Sequence, residues 1–368
     1  MRYAVHIILM VVVAILPLWL MPQPMPHAPE CDPAPVPVLR KARIVAVGDL
    51  MQHAEQLKAA LRSDSTTYDY SRCFKYVAPH FRDADISIVN LETTLSYEGP
   101  FSGYPAFKSP AELGAEIQRL GVDLAAMANN HCLDRGRRGV QSTIQILDSL
   151  GVGRVGVYAD SVDYERNVVK YIERGGIRFA FVNYTYGTNG IPLPKGVVVN
   201  QIDTNIMATH LRSISRSECD CVVALVHWGN EYERKPHPSQ VRIKEFLHRH
   251  GVDLILGSHP HVIQPYEVDF SGRITLYSMG NFISNQRTPP RDGGLMAQID
   301  IEEDRSGKFN YHLKLIPVWV NLPDYEVLPY YIADTISLTS DARMRYNRFM
   351  TDTRKYVPDN IKQNSLIP

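Results

Sequence analysis

The chain has 368 residues, 45% of them hydrophobic, and its 39 basic and 39 acidic side chains leave it without net charge. This is the composition of an ordinary globular protein with one large domain or two. The balanced charge, with lysine and arginine scattered along the chain, argues against a nucleic-acid partner.

The beginning of the chain differs from the rest. Residues 4–20 are apolar apart from His6, and the only basic side chain ahead of them is Arg2. This pattern predicts a signal peptide or a membrane anchor over residues 1–21. No small-residue cleavage site follows, so we favour a single-pass anchor in the cell membrane with the globular part outside the cytoplasm. The Pro-rich residues 22–40 are predicted to be a stiff linker.

Short strands and helices alternate over residues 41–322, which predicts an α/β domain. In chain order we predict strand 43–47, helix 54–61, strand 85–89, helix 110–120, strand 124–128, helix 137–150, strand 154–158, a hairpin of strands 168–172 and 177–184, helix 203–217, strand 221–226, helix 239–250 starting from an N-cap at Ser239, strand 252–256, and a β-rich tail at 262–269, 273–278, 295–301 and 311–320. The hairpin predicts mixed rather than purely parallel sheets. Residues 323–368 carry weaker signals and are predicted to be a C-terminal extension that packs on the domain, with a closing helix over 340–356.

The segment Gly257-Ser258-His259-Pro260-His261 places two imidazoles directly after a buried apolar strand. Ligands of α/β folds bind at the C-terminal ends of such strands. Pro260 disfavours the helical region for His259. If the segment is extended, residues two apart face the same way, and both rings point into one crevice. Imidazole is a common metal ligand, so the pair indicates a metal site; a pair of surface histidines is the alternative.

Other strand ends carry the same kinds of residue. The metal-ligand types found there are Asp49, Glu92, Asn130, His131, His227, His259 and His261. Neighbouring parallel strands bring their C-terminal ends together, so these side chains are predicted to meet. Two carboxylates, an amide oxygen and three imidazoles suit a pair of divalent ions, and mixed nitrogen and oxygen ligation favours zinc, manganese or iron over calcium or magnesium. Such a pair can clamp a phosphoester oxygen, with Glu92 or Asp49 as the bridge.

At this point the chain resembles a known family. Gly48-Asp49-Leu50-Met51, Asn90-Leu91-Glu92-Thr93, the run from Ala128 to Gly136, the run from His227 to Tyr232, the run from Gly257 to Gln264 and the run from Tyr277 to Phe282 occur in the order seen in the CapA family of poly-γ-glutamate capsule synthesis. The resemblance covers residues 43–301. It implies a calcineurin-like metallophosphoesterase fold, a four-layer α/β/β/α sandwich, and an anchored amino terminus.

The resemblance also implies roles for individual residues. Asp49, Glu92, Asn130, His227, His259 and His261 correspond to metal ligands, with Glu92 in the place of the bridging carboxylate. His131 corresponds to the histidine that protonates the leaving oxygen or stabilises the transition state. The chain departs from the superfamily where Asp-x-His is usual, because here His53 follows Asp49 at a longer spacing. His53 either reaches the first metal or is an exposed residue that starts a helix. A glutamate bridge in place of aspartate leaves ordinary phosphatase activity open.

Several neighbours have two interpretations. Asp134 either orients the His131 imidazole or caps the following helix, and Cys132 is predicted to face the core. Trp228, Glu231 and Tyr232 either line a substrate groove or, for Trp228, pack in the core. Asn281 is predicted to bind the substrate or a ligand. Lys108, Arg135 and Arg137 are either anion-binding residues or solvated surface charges. No disulfide is predicted among the five cysteines.

The resemblance implies capsule assembly or export with a phosphoester-hydrolysing dinuclear site. The expected partners are an anionic polymer or phosphoester substrate, the cell membrane, and other capsule-synthesis membrane proteins. A general surface phosphoesterase and a non-catalytic polymer-binding scaffold are the two alternatives.

Overall fold

The computed structural model describes residues 40–357. The predicted anchor over 1–21 and all but the last residue of the linker over 22–40 lie outside the described residues. Within residues 40–357, no helix has both the length and the apolar character needed to cross a membrane.

Strands and helices alternate over most of the described chain. The strands are β1 Lys41–Leu50, β2 Ile86–Leu91, β3 Leu95–Ser96, β4 Ser109–Pro110, β5 Leu124–Ala126, β6 Gly153–Val155, β7 Val157–Tyr158, β8 Lys170–Arg174, β9 Ile177–Thr185, β10 Val198–Val199, β11 Cys221–His227, β12 Leu254–Ser258, β13 Tyr266–Val268, β14 Ile274–Leu276, β15 Asn281–Ile283, β16 Gly293–Glu303, β17 Phe309–Asn321 and β18 Glu326–Pro329. The helices are α1 Ala54–Ala60, α2 Ser71–Phe74, α3 Ala78–Arg82, α4 Ala111–Leu120, α5 Gly136–Ser149, α6 Ser161–Asn167, α7 Thr204–Ser213, α8 Pro238–Arg249, α9 Tyr330–Thr335 and α10 Ser340–Thr353.

Two mixed sheets form the centre of the domain. The first has the strand order β18-β17-β16-β1-β2-β5-β6, and β15 pairs with the end of β1. Its strands β1, β2, β5 and β6 run parallel, whereas β16, β17 and β18 are antiparallel. The second sheet has the order β13-β14-β12-β11-β9-β8, with antiparallel pairs at both edges. The prediction of mixed sheets is confirmed.

The two faces of the second sheet bury different neighbours. Along β9, Phe179 and Phe181 pack in the core shared with the first sheet, while Ala180 and Val182 pack in a second core with α7 and α8. This alternation is the period of two expected of a strand buried on both faces. Helices α4 and α5 bury their apolar stripes in the core of the first sheet. The result is the predicted four-layer α/β/β/α sandwich.

Several helix boundaries differ from the prediction, and for two of them the structure gives the reason. Helix α8 begins at Pro238 with His237 as its N-cap, not at Ser239. Proline suits the first helical position because it has no N–H to leave unpaired, so the cap moves to the residue before it. Helix α7 ends at Ser213, four residues earlier than predicted, because Ile214 turns extended and buries its side chain in the second core.

The chain beyond residue 322 continues the first sheet. Strand β18 pairs with β17, and α10 buries Tyr346, Phe349 and Met350 in the same core as β1. The cysteines of the described chain, Cys73, Cys132, Cys219 and Cys221, are buried and free.

Candidate metal centre

The first sheet supplies two carboxylates at the ends of neighbouring strands. Asp49 lies near the end of β1, opposite Asn90 of β2 on one side and Asn281 of β15 on the other. Glu92 follows β2 directly. Gly48 makes this arrangement fit, because a Cβ there would lie 2.0 Å from the Gly280 carbonyl oxygen. Any larger residue would push the two strand ends apart.

The second sheet supplies three imidazoles. His227 ends β11 and pairs with Ser258 at the end of β12. His259 and His261 follow, and they have φ angles of 97° and 55°. The premise of an extended segment is therefore wrong, although both rings still enter the crevice. Left-handed backbone is costly for histidine, and such strain collects at functional sites.

Two overlapping donor sets lie at this junction. Glu92, His259 and His261 form one, and Asp49, Glu92 and His227 form the other, each with its donor atoms within 4.8 Å of one another. Glu92 is the residue common to both. The Asn130 amide oxygen lies 2.8 Å from His227 Nε2, beside the second set. The structure thus brings together all six residues predicted as metal ligands.

The donor atoms fit bound cations. Glu92 Oε1 and His259 Nδ1 are buried and accept no hydrogen bond from the described chain. Glu92 Oε1 faces His227 Nε2 at 3.7 Å and His261 Nε2 at 3.8 Å. Buried polar atoms are almost always paired. A carboxylate oxygen that faces two imidazole nitrogens is a donor set that divalent transition metals satisfy.

The pKa shifts of the residues in the centre also favour metal binding. Burial, together with the neighbouring Asp49 carboxylate, holds the pKa of Glu92 well above its usual range. Burial and the other imidazoles hold the pKa of His227 well below its usual range and lower that of His259 to about 3. Neutral imidazoles are the form that binds metals.

Hydrogen-bond partners that the sequence analysis missed orient these donors. Asn90 Nδ2 donates to Asp49 Oδ1 at 2.8 Å and lies 3.4 Å from both Glu92 Oε2 and His227 Nδ1. The Ser258 hydroxyl lies 3.0 Å from His227 Nδ1, which leaves Nε2 for the centre. Both residues stand at strand ends within the motifs, and their position was the available signal. Outer partners of this kind fix ligand tautomers.

Asn281 and Asp49 hold His261 in a similar way. Nδ1 of His261 lies 2.9 Å from Asp49 Oδ2 and 3.0 Å from Asn281 Oδ1. Because both oxygens accept, Nδ1 carries the proton and Nε2 faces Glu92. Asn281 is fully buried and contacts the predicted ligand His261. Its role in substrate binding stays a prediction.

His131 and Asp134 form a buried pair at the edge of the centre. His131 Nδ1 lies 2.8 Å from Asp134 Oδ2, which also accepts the backbone N–H of Phe107 at 2.6 Å. The N-cap of α5 is Arg135, so Asp134 orients His131 and does not cap the helix. The Phe107 ring packs edge-on against His131 at 4.5 Å.

Trp228 does not line the centre. It is 2% exposed, packs in the second core and donates to the Tyr277 carbonyl at 2.8 Å. Trp228 therefore fits the core-packing interpretation, because its place at the start of the turn after β11 directs the indole away from the first sheet. Cys132 also packs in the core, as expected. His53 is the N-cap of α1 and is part-buried, outside both donor sets.

Exposed tyrosines surround the buried histidines. Tyr104 is 73% exposed and lies 6.5 Å from the His131 ring, Tyr186 lies 4.4 Å from His259, and Tyr232 lies 6.1 Å from His261. Tyr186 was missed, although its position just after β9 resembles that of the other site residues.

Comparison with known proteins agrees with this geometry. Residues 43–286 match the family model described as bacterial capsule synthesis protein PGA_cap. The chain belongs to this family. That match includes every residue of the two donor sets and His131. The metal-ligand cluster therefore lies within the part of the chain that matches the PGA_cap family.

Curated PGA_cap relatives share modest identity with the chain. It is 28% identical over 276 residues to the PGA biosynthesis protein CapA of Bacillus subtilis, covering 72% of this chain and 68% of the relative. It is 28% identical over 270 residues to the capsule biosynthesis protein CapA of Bacillus anthracis, covering 70% and 63%. Among solved structures, a 5'-nucleotidase from Candida albicans is similar at a TM-score of 0.45 and 13% identity, covering 87% of this chain and 59% of that one.

Proposed function

We propose that this PGA_cap protein is a membrane-anchored, extracytoplasmic accessory protein of poly-γ-glutamate or related capsule-polymer synthesis, and that its centre binds two divalent transition-metal ions and hydrolyses a phosphoester. The observation that carries the proposal is the shared Glu92, whose unpaired buried oxygen faces a histidine of each donor set. The names of the Bacillus relatives support the polymer role.

Different residues of the chain would bind the metal ions and transfer the proton in such a reaction. Asp49, Glu92, Asn130, His227, His259 and His261 would hold the ions. When bound, two such ions polarise a phosphoryl oxygen and make water a nucleophile at neutral pH. His131 donates its Nδ1 proton to Asp134, so Nε2 is the nitrogen that can deliver a proton to the leaving oxygen. Asp134 stabilises the imidazolium of His131, and the N–H of Phe107 holds the Asp134 carboxylate in one orientation.

Metal content tests the first part of the proposal. The full chain, reconstituted with manganese, zinc or iron, is expected to retain about two equivalents of metal. The double variant His259→Ala/His261→Ala should lose most of it, while His312→Ala, a change at an exposed histidine of β17, should not. A folded parent that retains no metal after reconstitution would refute the dinuclear centre and leave a scaffold role.

Hydrolysis of a generic aryl phosphate tests the second part. We expect metal-dependent turnover that falls by roughly 10²–10⁴ in kcat in His131→Ala, with metal content unchanged. Turnover that survives this substitution would exclude His131 as the acid.

Release of the protein from the membrane fraction on deletion of residues 1–21 tests the anchor.

A further inference from the structure

A groove of about 530 Å³ lies between α5 and the chain that follows Glu92. Its lining includes Arg138, Gly139, Ser142 and Gln145 of α5, together with β3 and the loop after it. At 1.5 Å per residue, the positions from Arg138 to Gln145 extend over about 10 Å of helix. A short segment of an extended chain can fill this length.

Three cations line the groove. They are Lys108, Arg135 and Arg138, and Glu98 is the only acidic side chain in the lining. None of the three cations makes a salt bridge within residues 40–357. The first turn of α5 carries no acidic residue either. The groove thus has an excess of positive charge that the described chain does not compensate.

Two of these cations are held in place without being neutralised. Arg135 donates to the Ser102 hydroxyl and to the Ala106 carbonyl, and Lys108 Nζ donates to the Gly99 carbonyl at 3.2 Å. Neutral acceptors fix the direction of a cation but leave its charge available to an anion. Gly139 is required here, because a Cβ at this position would lie 2.5 Å from Arg135 Cβ.

The groove lining is close in sequence to the candidate catalytic pair. Lys108 follows Phe107, whose N–H binds Asp134, and Arg135 follows Asp134 itself. Thr94, also in the lining, stands two residues after Glu92. The segments that carry Glu92 and His131 therefore also supply residues of the groove.

We propose that this groove binds a segment of a polycarboxylate chain, with carboxylates on Lys108, Arg135 and Arg138 and chain amides toward Ser142 and Gln145. The inference rests on the proposed function for the identity of the polymer. Separate cations along a groove match repeated carboxylates on a polymer, whereas a single small anion would use only one end.

Equilibrium binding of a fluorescently labelled γ-linked oligoglutamate to the full chain tests the proposal. We expect Lys108→Gln/Arg138→Gln to weaken binding roughly five- to tenfold at low salt, and added salt to weaken parent binding because exposed charges are screened. The control Arg166→Gln/Arg212→Gln removes the same charge from exposed positions on α6 and α7 outside the groove, and it should bind like the parent.

Several outcomes would overturn the proposal. These are equal binding by parent and groove variant, equal loss in the control, or competition by free glutamate or inorganic phosphate as effective as by unlabelled oligomer. Binding is measured without turnover, so its failure is separable from that of the proposed chemistry. If the parent hydrolyses no phosphoester but binds the oligomer, and only the groove variant binds it more weakly, the groove proposal stands and the proposed hydrolysis is refuted.

Discussion

Replacing Glu92 by glutamine should make the metal-free protein more stable and prevent the metal from stabilising it. Glu92 is fully buried, its Oε1 has no hydrogen-bond partner in the described chain, and burial beside Asp49 raises its pKa. Burying a carboxyl that has no partner, and keeping it protonated at neutral pH as its raised pKa requires, costs about 1–3 kcal/mol or more, and glutamine keeps the shape without an ionisable group. We expect metal-free Glu92→Gln to gain about 1–3 kcal/mol of unfolding free energy, or roughly 2–6 °C in Tm.

Thermal unfolding in chelator and then in excess manganese or zinc measures both effects. The parent should gain about 2.7 kcal/mol at metal concentrations one hundred times the Kd, while Glu92→Gln gains little. Glu116→Gln is the matched control, because Glu116 is also buried but pairs with Arg119 away from the centre. Its Tm should not rise in chelator, and its response to metal should equal that of the parent.

A chelated Glu92→Gln protein that melts at or below the chelated parent would refute this reasoning. It would mean that Glu92 is satisfied in the metal-free protein, and the argument for a bridging ligand from its unpaired oxygen would fail.

Three further predictions follow from single contacts. Asp134→Asn should lower kcat for an aryl phosphate by about 10–150-fold with KM little changed, because a charge-assisted bond of about 1.5–3 kcal/mol to His131 is lost. Gly257→Ala should destabilise the fold by about 3 kcal/mol in denaturant unfolding, because the new Cβ would lie 2.1 Å from the Tyr277 carbonyl oxygen. His210 is buried, and burial lowers its pKa. As the pH falls below 6.5, this histidine is protonated in the unfolded state before it is protonated in the folded state, so the free energy of unfolding falls. His210→Gln should reduce that slope in unfolding measured against pH.

Each of these has an outcome that contradicts it. Asp134→Asn with parental kcat and intact metal content would remove the orienting role. Gly187→Ala, where the added Cβ meets nothing within 4 Å, should be nearly neutral, and an equal loss there would show that the Gly257 effect is not steric. An unchanged pH slope in His210→Gln would assign the acid sensitivity to other histidines.

Most of the longer strands, their order along the chain and the residue types at their ends could be predicted from the sequence. Apolar runs such as residues 252–256 identify strands because their periodicity and composition are local properties. Asp49, Glu92 and His227 were identified for the same reason, since each directly ends such a run. The capsule-family motifs are also local, which is why the family was evident before the fold was described.

The contacts of the candidate site required the tertiary structure. The sequence does not show that Asn90 and Ser258 contact His227, because one contact joins β2 of the first sheet to β11 of the second, and the other joins the neighbouring strands β12 and β11. Trp228 follows His227 in sequence, yet the turn after β11 sends the two side chains to opposite sides. The bend that turns His259 and His261 inward uses positive φ angles that an extended interpretation could not foresee.

The sequence by itself therefore determined which residues could bind metal and that they stand at strand ends, because ligand chemistry and strand periodicity are properties of short stretches of sequence. Tertiary structure decided that Glu92 belongs to both donor sets, that Asp134 turns toward His131, and that Lys108 and Arg138 share a groove. Those facts depend on how the two sheets pack and on where α5 lies beside β3. Distances between residues far apart in the chain are set by that packing.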